Sequence, residues 1–302
     1  MTTHLWTPEL TAVVDGYRTC ELATLNRAGV PVAWPVLAVR RPDGTFVTTT
    51  SIAFPQKVAN IRRDGNVAML FSDPTASGVT GAPEVLVQGE ATVAPDVAAG
   101  PAGTEDVWRR VYERQPQARV YGTGPVTRWL MDYYFMRLVI TVTPTAVGTR
   151  PAVAGGTPLR PPAGAAAALA GYPTVVLGTR DDDGAPRLRR VRVADHEGLD
   201  LVLDLAGEQV APGPASLLGH SHDENLWSLR NAVLLGGLDH SGGRWLFRPT
   251  RVAGGAESGS PVAQVRALRA WRRSAAAYLA RRGLSRPRVA WAEFEEIKRS
   301  VS

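Results

Sequence analysis

The chain has 302 residues, 44% apolar and 21% charged, the balance of a folded globular protein, which excludes disorder as its main state. Lys and Arg number 34 against 28 Asp and Glu, a net charge of +6 that attracts anions but is no nucleic-acid footprint. A single cysteine, Cys20, excludes an intrachain disulfide and points to a reducing, cytoplasmic setting.

At roughly 150 residues per domain the length suggests two domains. The opening residues Met1 to Trp6 carry no basic-then-apolar leader pattern. The longest uncharged stretch, Pro161 to Thr179, is alanine-rich and broken by Pro and Gly, so no membrane span is expected. Only Lys57 and Lys298 are lysines; every other cation is arginine.

Thr19–Leu25 reads as a strand, Asn26–Gly29 as a turn and Val30–Val39 as a second strand. Pro31 and Pro35 place that second strand at an edge or bulge, because proline donates nothing to a ladder. After the turn Arg41–Gly44, the β-branched run Thr45–Thr50 is a third strand. Phe54–Arg63 has the spacing of a helix with Pro55 in its first turn. Val67–Phe71 and Glu84–Val93 follow as strands, Thr104–Arg114 as a helix, and Tyr134–Val142 as a closing strand before Thr143-Pro144.

The second half repeats this plan. Leu177–Pro186 overlays Leu22–Pro31 at an offset of 155, and Gly198–Asp204 falls on Gly44–Thr50 at 154. Asn225–Arg230 is expected in the place of the helix Lys57–Arg62, and Arg248-Pro249-Thr250 resembles Thr143-Pro144-Thr145. The linker is Arg150–Gly164. The tail is helical from a Ser260-Pro261 cap to Arg282, with Arg266, Arg269, Arg272 and Arg273 as a solvated basic flank, then a short helix within Ser285–Ser302. The fold class is thus mainly β with helices, as two units. Residues 1–150 form the first, 164–255 a degenerate second copy, and 256–302 a helical extension.

The strongest chemical signal is Thr48-Thr-Thr-Ser51 followed by Lys57. A row of hydroxyls, the free amides of a helix start and a compact ammonium together suit a phosphate. Thr24–Val36, Asp43–Ser51 and Lys57–Val67, taken in order, resemble the pyridoxamine 5′-phosphate oxidase-like split β-barrel superfamily, clearly over residues 15–147 and in degraded form over 172–252. The resemblance implies two tandem split barrels and an FMN-dependent oxidoreductase acting on a small-molecule substrate. The deazaflavin coenzyme F-420 is the alternative cofactor and haem a remote one; cofactor binding without turnover is the alternative function, which the degenerate second barrel and the missing acid–base set mildly favour. It also implies that Thr49, Thr50, Ser51 and Lys57 hold the cofactor phosphate, that Trp34, Pro35 and Val36 lie along the ring, and that Gln88 lines the same pocket. Gln56 stands where the oxidases proper often carry an arginine, and no match to their substrate-phosphate arginine and histidine set is found. The two barrels are expected to form the family's dimer within one chain. Asn225 and Asp204 would leave the second half-site unable to hold phosphate, and a homodimer of whole chains is compatible with this plan.

Weaker signals point elsewhere. His220 and His222 are expected to serve a cap and loop before the Asn225 helix, and no metal site is expected. Gly122-Thr-Gly124-Pro125 lacks the context of a dinucleotide fingerprint and reads as a loop. Cys20, Trp108, Tyr112, Trp129, Tyr133 and Tyr134 are expected in the core. No paired-carboxylate or Ser/His/Asp arrangement stands out.

Overall fold

The computed structural model describes residues 5–79, 81–158, 164–205, 207, 209–226, 230–255 and 261–301. Helix α1 (Pro8–Gly16) starts at Thr7, whose hydroxyl accepts from the Leu10 amide at 3.2 Å. β1 (Cys20–Leu25) and β2 (Pro31–Val36) then form a hairpin. Gly29 closes its turn at φ +71°, a left-handed backbone that favours glycine, and the Asn26 side-chain oxygen accepts from the amides of Ala28 and Val30.

The chain breaks at Leu37, and β3 (Ala38–Arg40) leaves β1 to pair with β4 (Phe46–Ser51). Helix α2 (Gln56–Ile61), β5 (Asn66–Phe71), β6 (Glu84–Val93), α3 (Glu105–Arg114), α4 (Ala118–Tyr121), α5 (Gly124–Phe135) and β7 (Arg137–Arg150) complete the unit. The strand order is β2-β1-β5-β6-β7-β4-β3. β2 and β3 are two halves of one bent strand, so the sheet wraps round and is split at Leu37. The prolines of β2 sit on an edge, where a missing donor costs nothing.

A short 3-10 helix (Gly164–Leu169) leads into β8 (Val175–Arg180), β9 (Pro186–Glu197), β10 (Asp200–Asp204), β11 (Gly213–Ser221), β12 (Arg230–Ser241) and β13 (Arg244–Gly255). These close as β10-β13-β12-β11-β8-β9. The registers repeat those of the first unit. Cys20 faces Val36 and, 155 residues later, Val175 faces Val191. Ala38 faces Thr48, and Val193 faces Leu203, again 155 residues later.

The bulges repeat as well. Gly89 lies opposite Pro144, and Gly236 opposite Pro249, each at a register shift. A Cβ on Gly89 would fall 2.4 Å from the Thr143 carbonyl oxygen, and one on Gly236 2.2 Å from that of Arg248, so only glycine fits. Thr145 donates to the Gln88 carbonyl, and Thr250 to that of Leu235.

Several expectations change. The closing strand runs through Pro144 to Arg150, because the bulge spares the ladder a donor there. Gly124-Pro125 opens α5, with proline in the first turn. Asn225 is not the counterpart of Lys57. It follows β11, which pairs with β8 as β5 pairs with β1, so the place of α2 is the segment between β10 and β11. None of the described residues there is helical, in keeping with a segment that ends in Pro212-Gly213-Pro214. Arg230 begins a strand, and residues 227–229 of the expected helix lie outside the described residues, as does the expected cap Ser260. Trp129 is 64% exposed.

Helix α6 (Pro261–Arg281) packs Ala275, Tyr278 and Leu279 into the core of the first barrel, and α7 (Trp291–Ser300) packs Phe294 and Ile297 beside Trp108 and Phe135. Arg272 of α6 is not solvated: it donates to the Leu130 carbonyl at 3.0 Å and stacks on Trp129. No helix among the described residues is long and apolar enough to cross a membrane.

The barrels meet along an apolar seam. Ala23, Val32, Ala33, Ala68 and Leu70 pack against Val176, Leu188, Leu218, Val233 and Leu235. Ala33 and Leu188 occupy equivalent positions, so the seam has an internal two-fold character. Beside it lies a buried polar cluster. Glu21 pairs with Arg190 at 2.9 Å and with His220 at 2.6 Å, and accepts from Ser72. His222 lies 3.5 Å from Asp73. Both histidines are therefore buried seam residues rather than a surface cap. Among the described residues no group of three His, Cys, Asp or Glu is placed to hold a metal.

Candidate cofactor site

β4 ends at Ser51, and α2 begins after four intervening residues. The connecting loop is held from two sides. The Ile52 amide donates to the Met136 carbonyl at 3.0 Å, and Ser274 of α6 donates to the Ala53 carbonyl at 2.7 Å. This fixed turn carries Lys57 back over the strand end. Its Nζ donates to Thr50 Oγ1 at 3.2 Å and lies 5.4 Å from the centre of the Trp34 ring. Trp34, Thr50 and Lys57 come from β2, β4 and α2, and they converge at the split of the barrel.

Burial pushes the Lys57 ammonium down from an ordinary 10.5 to about 8, and the charge of Arg137 acts in the same direction. Arg137 opens β7 opposite Ser51. It is only 9% exposed, with its guanidinium carbon 4.1 Å from the centre of the Tyr134 ring and 4.9 Å from that of Trp108. Its Nε is buried without a hydrogen-bond partner, and no carboxylate among the described residues pairs with it. A half-buried and a buried cation near one another, without a counter-charge among the described residues, are costly. An anion bound at Lys57, within the field of Arg137, would offset that cost.

The other expected residues divide. Ser51 donates to the Tyr133 carbonyl at 2.5 Å and accepts from the Ala53 amide at 3.1 Å, so its proton is already committed. Thr49 is half-buried opposite Val139. Pro35 is half-buried opposite Glu21, and Val36 packs in the core of the first barrel. Gln88 is turned to the second barrel, where its amide donates to Asp181 at 2.9 Å. Gln56 bonds Asn60, which in turn anchors α2 to Thr24 of β1. α2 has only six residues, so its dipole adds little to an anion site. Sequence reasoning missed Arg137. The available signal was an arginine opening an otherwise apolar strand, directly after Tyr133-Tyr134-Phe135-Met136.

The second copy lacks this arrangement. Arg189 stands in the register of Trp34, and Leu205 follows Leu203 where Thr50 follows Thr48. Arg189 is 3% exposed and donates to the Gln209 carbonyl at 3.1 Å, filling its own side of the seam. Asp204, in the place of Thr49, is exposed and pairs with Arg192 at 2.7 Å.

Residues 6–142 match the profile of the pyridoxamine 5′-phosphate oxidase family. No curated protein matches the chain. Among solved structures, a protein of unknown function from Agrobacterium tumefaciens is similar at 20% identity, over 47% of this chain and 55% of that one, with a TM-score of 0.33. This chain therefore spans about half the length of that relative. A conserved hypothetical protein from Mycobacterium tuberculosis is similar at 23% identity, over 50% of this chain and 92% of that one, with a TM-score of 0.35. An F420 reductase is similar at 24% identity, over 43% of this chain and 88% of that one, with a TM-score of 0.32. With the split of the sheet at Leu37 and the lysine and hydroxyls beside it, the profile match places residues 6–142 in the pyridoxamine 5′-phosphate oxidase-like split-barrel superfamily.

Proposed function

We propose that the first barrel binds a flavin-type cofactor through its phosphate, FMN in the first instance, and that the chain is an oxidoreductase acting on a small molecule. The observation that carries this reading is Lys57 and Arg137, one half-buried and one buried cation, neither paired with a carboxylate among the described residues. A phosphate monoester, with close to two negative charges near neutral pH, suits two such cations. The family match supports the choice of a flavin. The phosphate of the deazaflavin coenzyme F-420 would use the same contacts.

In this reading Lys57 and Arg137 neutralise the phosphate, and Thr50 aims the ammonium. Trp34 offers a flat face at the seam. The second barrel faces it through Val233, part of the seam cluster against which Trp34 packs. The bound ring would supply the hydride or electron transfer, and the protein positions it and excludes water. Ser51 serves the fold by tying β4 to α5 through Tyr133.

The test compares FMN with riboflavin, which has the same ring and no phosphate, in titrations of the apo protein. FMN should bind at least about tenfold more tightly, the strength of a charged hydrogen bond. Equal affinities would refute the phosphate anchor. Mass spectrometry of the cofactor extracted from purified protein separates FMN from F-420. Absence of turnover with every electron donor tried would leave binding without catalysis.

A further inference from the structure

The internal two-fold creates a second groove, and its chemistry differs from the first. Where the first barrel presents Val32, Ala33 and Trp34 to its neighbour, the second presents Arg187, Leu188 and Arg189 in the same register. A cavity of about 210 Å³ lies there, between β9 and the strands β5, β6 and β7 of the first barrel. Its floor is apolar, formed by Leu70, Leu86 and Leu188, and Arg150, Arg187 and Arg189 stand around it.

The one carboxylate in the lining, Glu84, is already engaged. It is 1% exposed, pairs with Arg150 at 2.8 Å and accepts from the Val153 amide at 3.2 Å. With Arg150 paired to Glu84 and Arg189 bonded to Gln209, the cavity presents the exposed cation Arg187 at the edge of a hydrocarbon floor. It is too small for a three-ring cofactor with a phosphorylated side chain. It also has no lysine on a helix and no hydroxyl at the position of Thr50.

We propose that this cavity is a second binding site, for a small organic carboxylate with an apolar body of about ten non-hydrogen atoms. The guanidinium fork takes a carboxylate through two parallel hydrogen bonds, and the leucines take the body. Arg187, exposed at the mouth, is the residue that makes that contact; Arg189 and Arg150 form part of the wall. This proposal needs only the internal two-fold and does not depend on the phosphate reading of the first barrel.

The experiment is calorimetric titration of the full chain with benzoate, using benzyl alcohol as the uncharged control. Benzoate should bind saturably, and benzyl alcohol at least about tenfold more weakly. Arg187→Gln, at an exposed position, should keep the melting temperature and weaken benzoate by about tenfold or more. Lys57→Met should leave benzoate affinity unchanged. The proposal is overturned if benzoate gives no saturable binding up to ~10 mM. It is equally overturned if Arg187→Gln binds like wild type, or if Lys57→Met abolishes binding, which would assign benzoate to the first barrel.

Discussion

Replacing Lys57 by methionine should stabilise the empty protein while disabling its anion site. The ammonium is held at about 8 rather than 10.5, chiefly by burial and then by the charge of Arg137. That difference corresponds to about 3 kcal/mol of disfavoured charge, an upper bound for a half-buried group. The sign follows from proton binding. Between pH 8 and 10.5 the unfolded chain holds the proton that the folded chain has released. Wild-type stability therefore rises with pH through that window, and the full cost is present below it. Methionine keeps the stem and removes the charge, so the variant should be more stable than wild type by ~1–3 kcal/mol at neutral pH. The gap should shrink towards zero as the pH is raised past the unfolded value. Urea unfolding of ligand-free wild type and variant, at about pH 7 and about pH 10, measures this directly. FMN affinity should meanwhile fall by ~1.5–3 kcal/mol, the worth of a hydrogen bond to a charged group. A variant less stable than wild type at neutral pH, or a gap independent of pH, would refute the reasoning.

Arg137→Gln should weaken FMN by at least about tenfold and leave riboflavin unaffected, since only the phosphate meets the guanidinium; equal losses for both ligands would assign Arg137 a purely structural part. FMN binding near pH ~8.5 should draw a proton onto Lys57, because the phosphate favours the ammonium; titrations in two buffers of different ionisation enthalpy would show it. Gly89→Ala and Gly236→Ala should each destabilise by ~2–4 kcal/mol, since the new methyl meets a backbone carbonyl; a shift in the urea midpoint at constant slope is the readout. Glu21→Gln should cost ~3–5 kcal/mol by leaving Arg190 buried without its carboxylate; a variant as stable as wild type would show that the cluster is hydrated.

The hairpin of the first barrel was readable because its determinants are local. Asn26 and Gly29 specify the turn, and Pro31 and Pro35 mark the edge. The duplication was readable from the turn that recurs at Asp181–Gly184 and from Arg248-Pro249-Thr250, which the structure shows to be the same bulge as Thr143-Pro144-Thr145. The place of α2 in the second copy was misread because Asn225-Leu-Trp resembles a helix start, whereas strand order is decided by pairing across the barrel. The site was legible as a lysine after hydroxyls. Which hydroxyl faces the ammonium was not, because Thr50 and Ser51 turn to opposite faces of one strand. Arg137 escaped because what distinguishes it is the lack of a neighbouring carboxylate, a property of three-dimensional surroundings.

The two barrels share one seam and one polypeptide. A pocket assembled from two separate subunits empties on dilution as the subunits part. Here the linker holds the partner wall at a local concentration of order millimolar, whatever the concentration of the chain. At a fixed free cofactor concentration, loading should accordingly be independent of protein concentration, and each polypeptide should carry one equivalent.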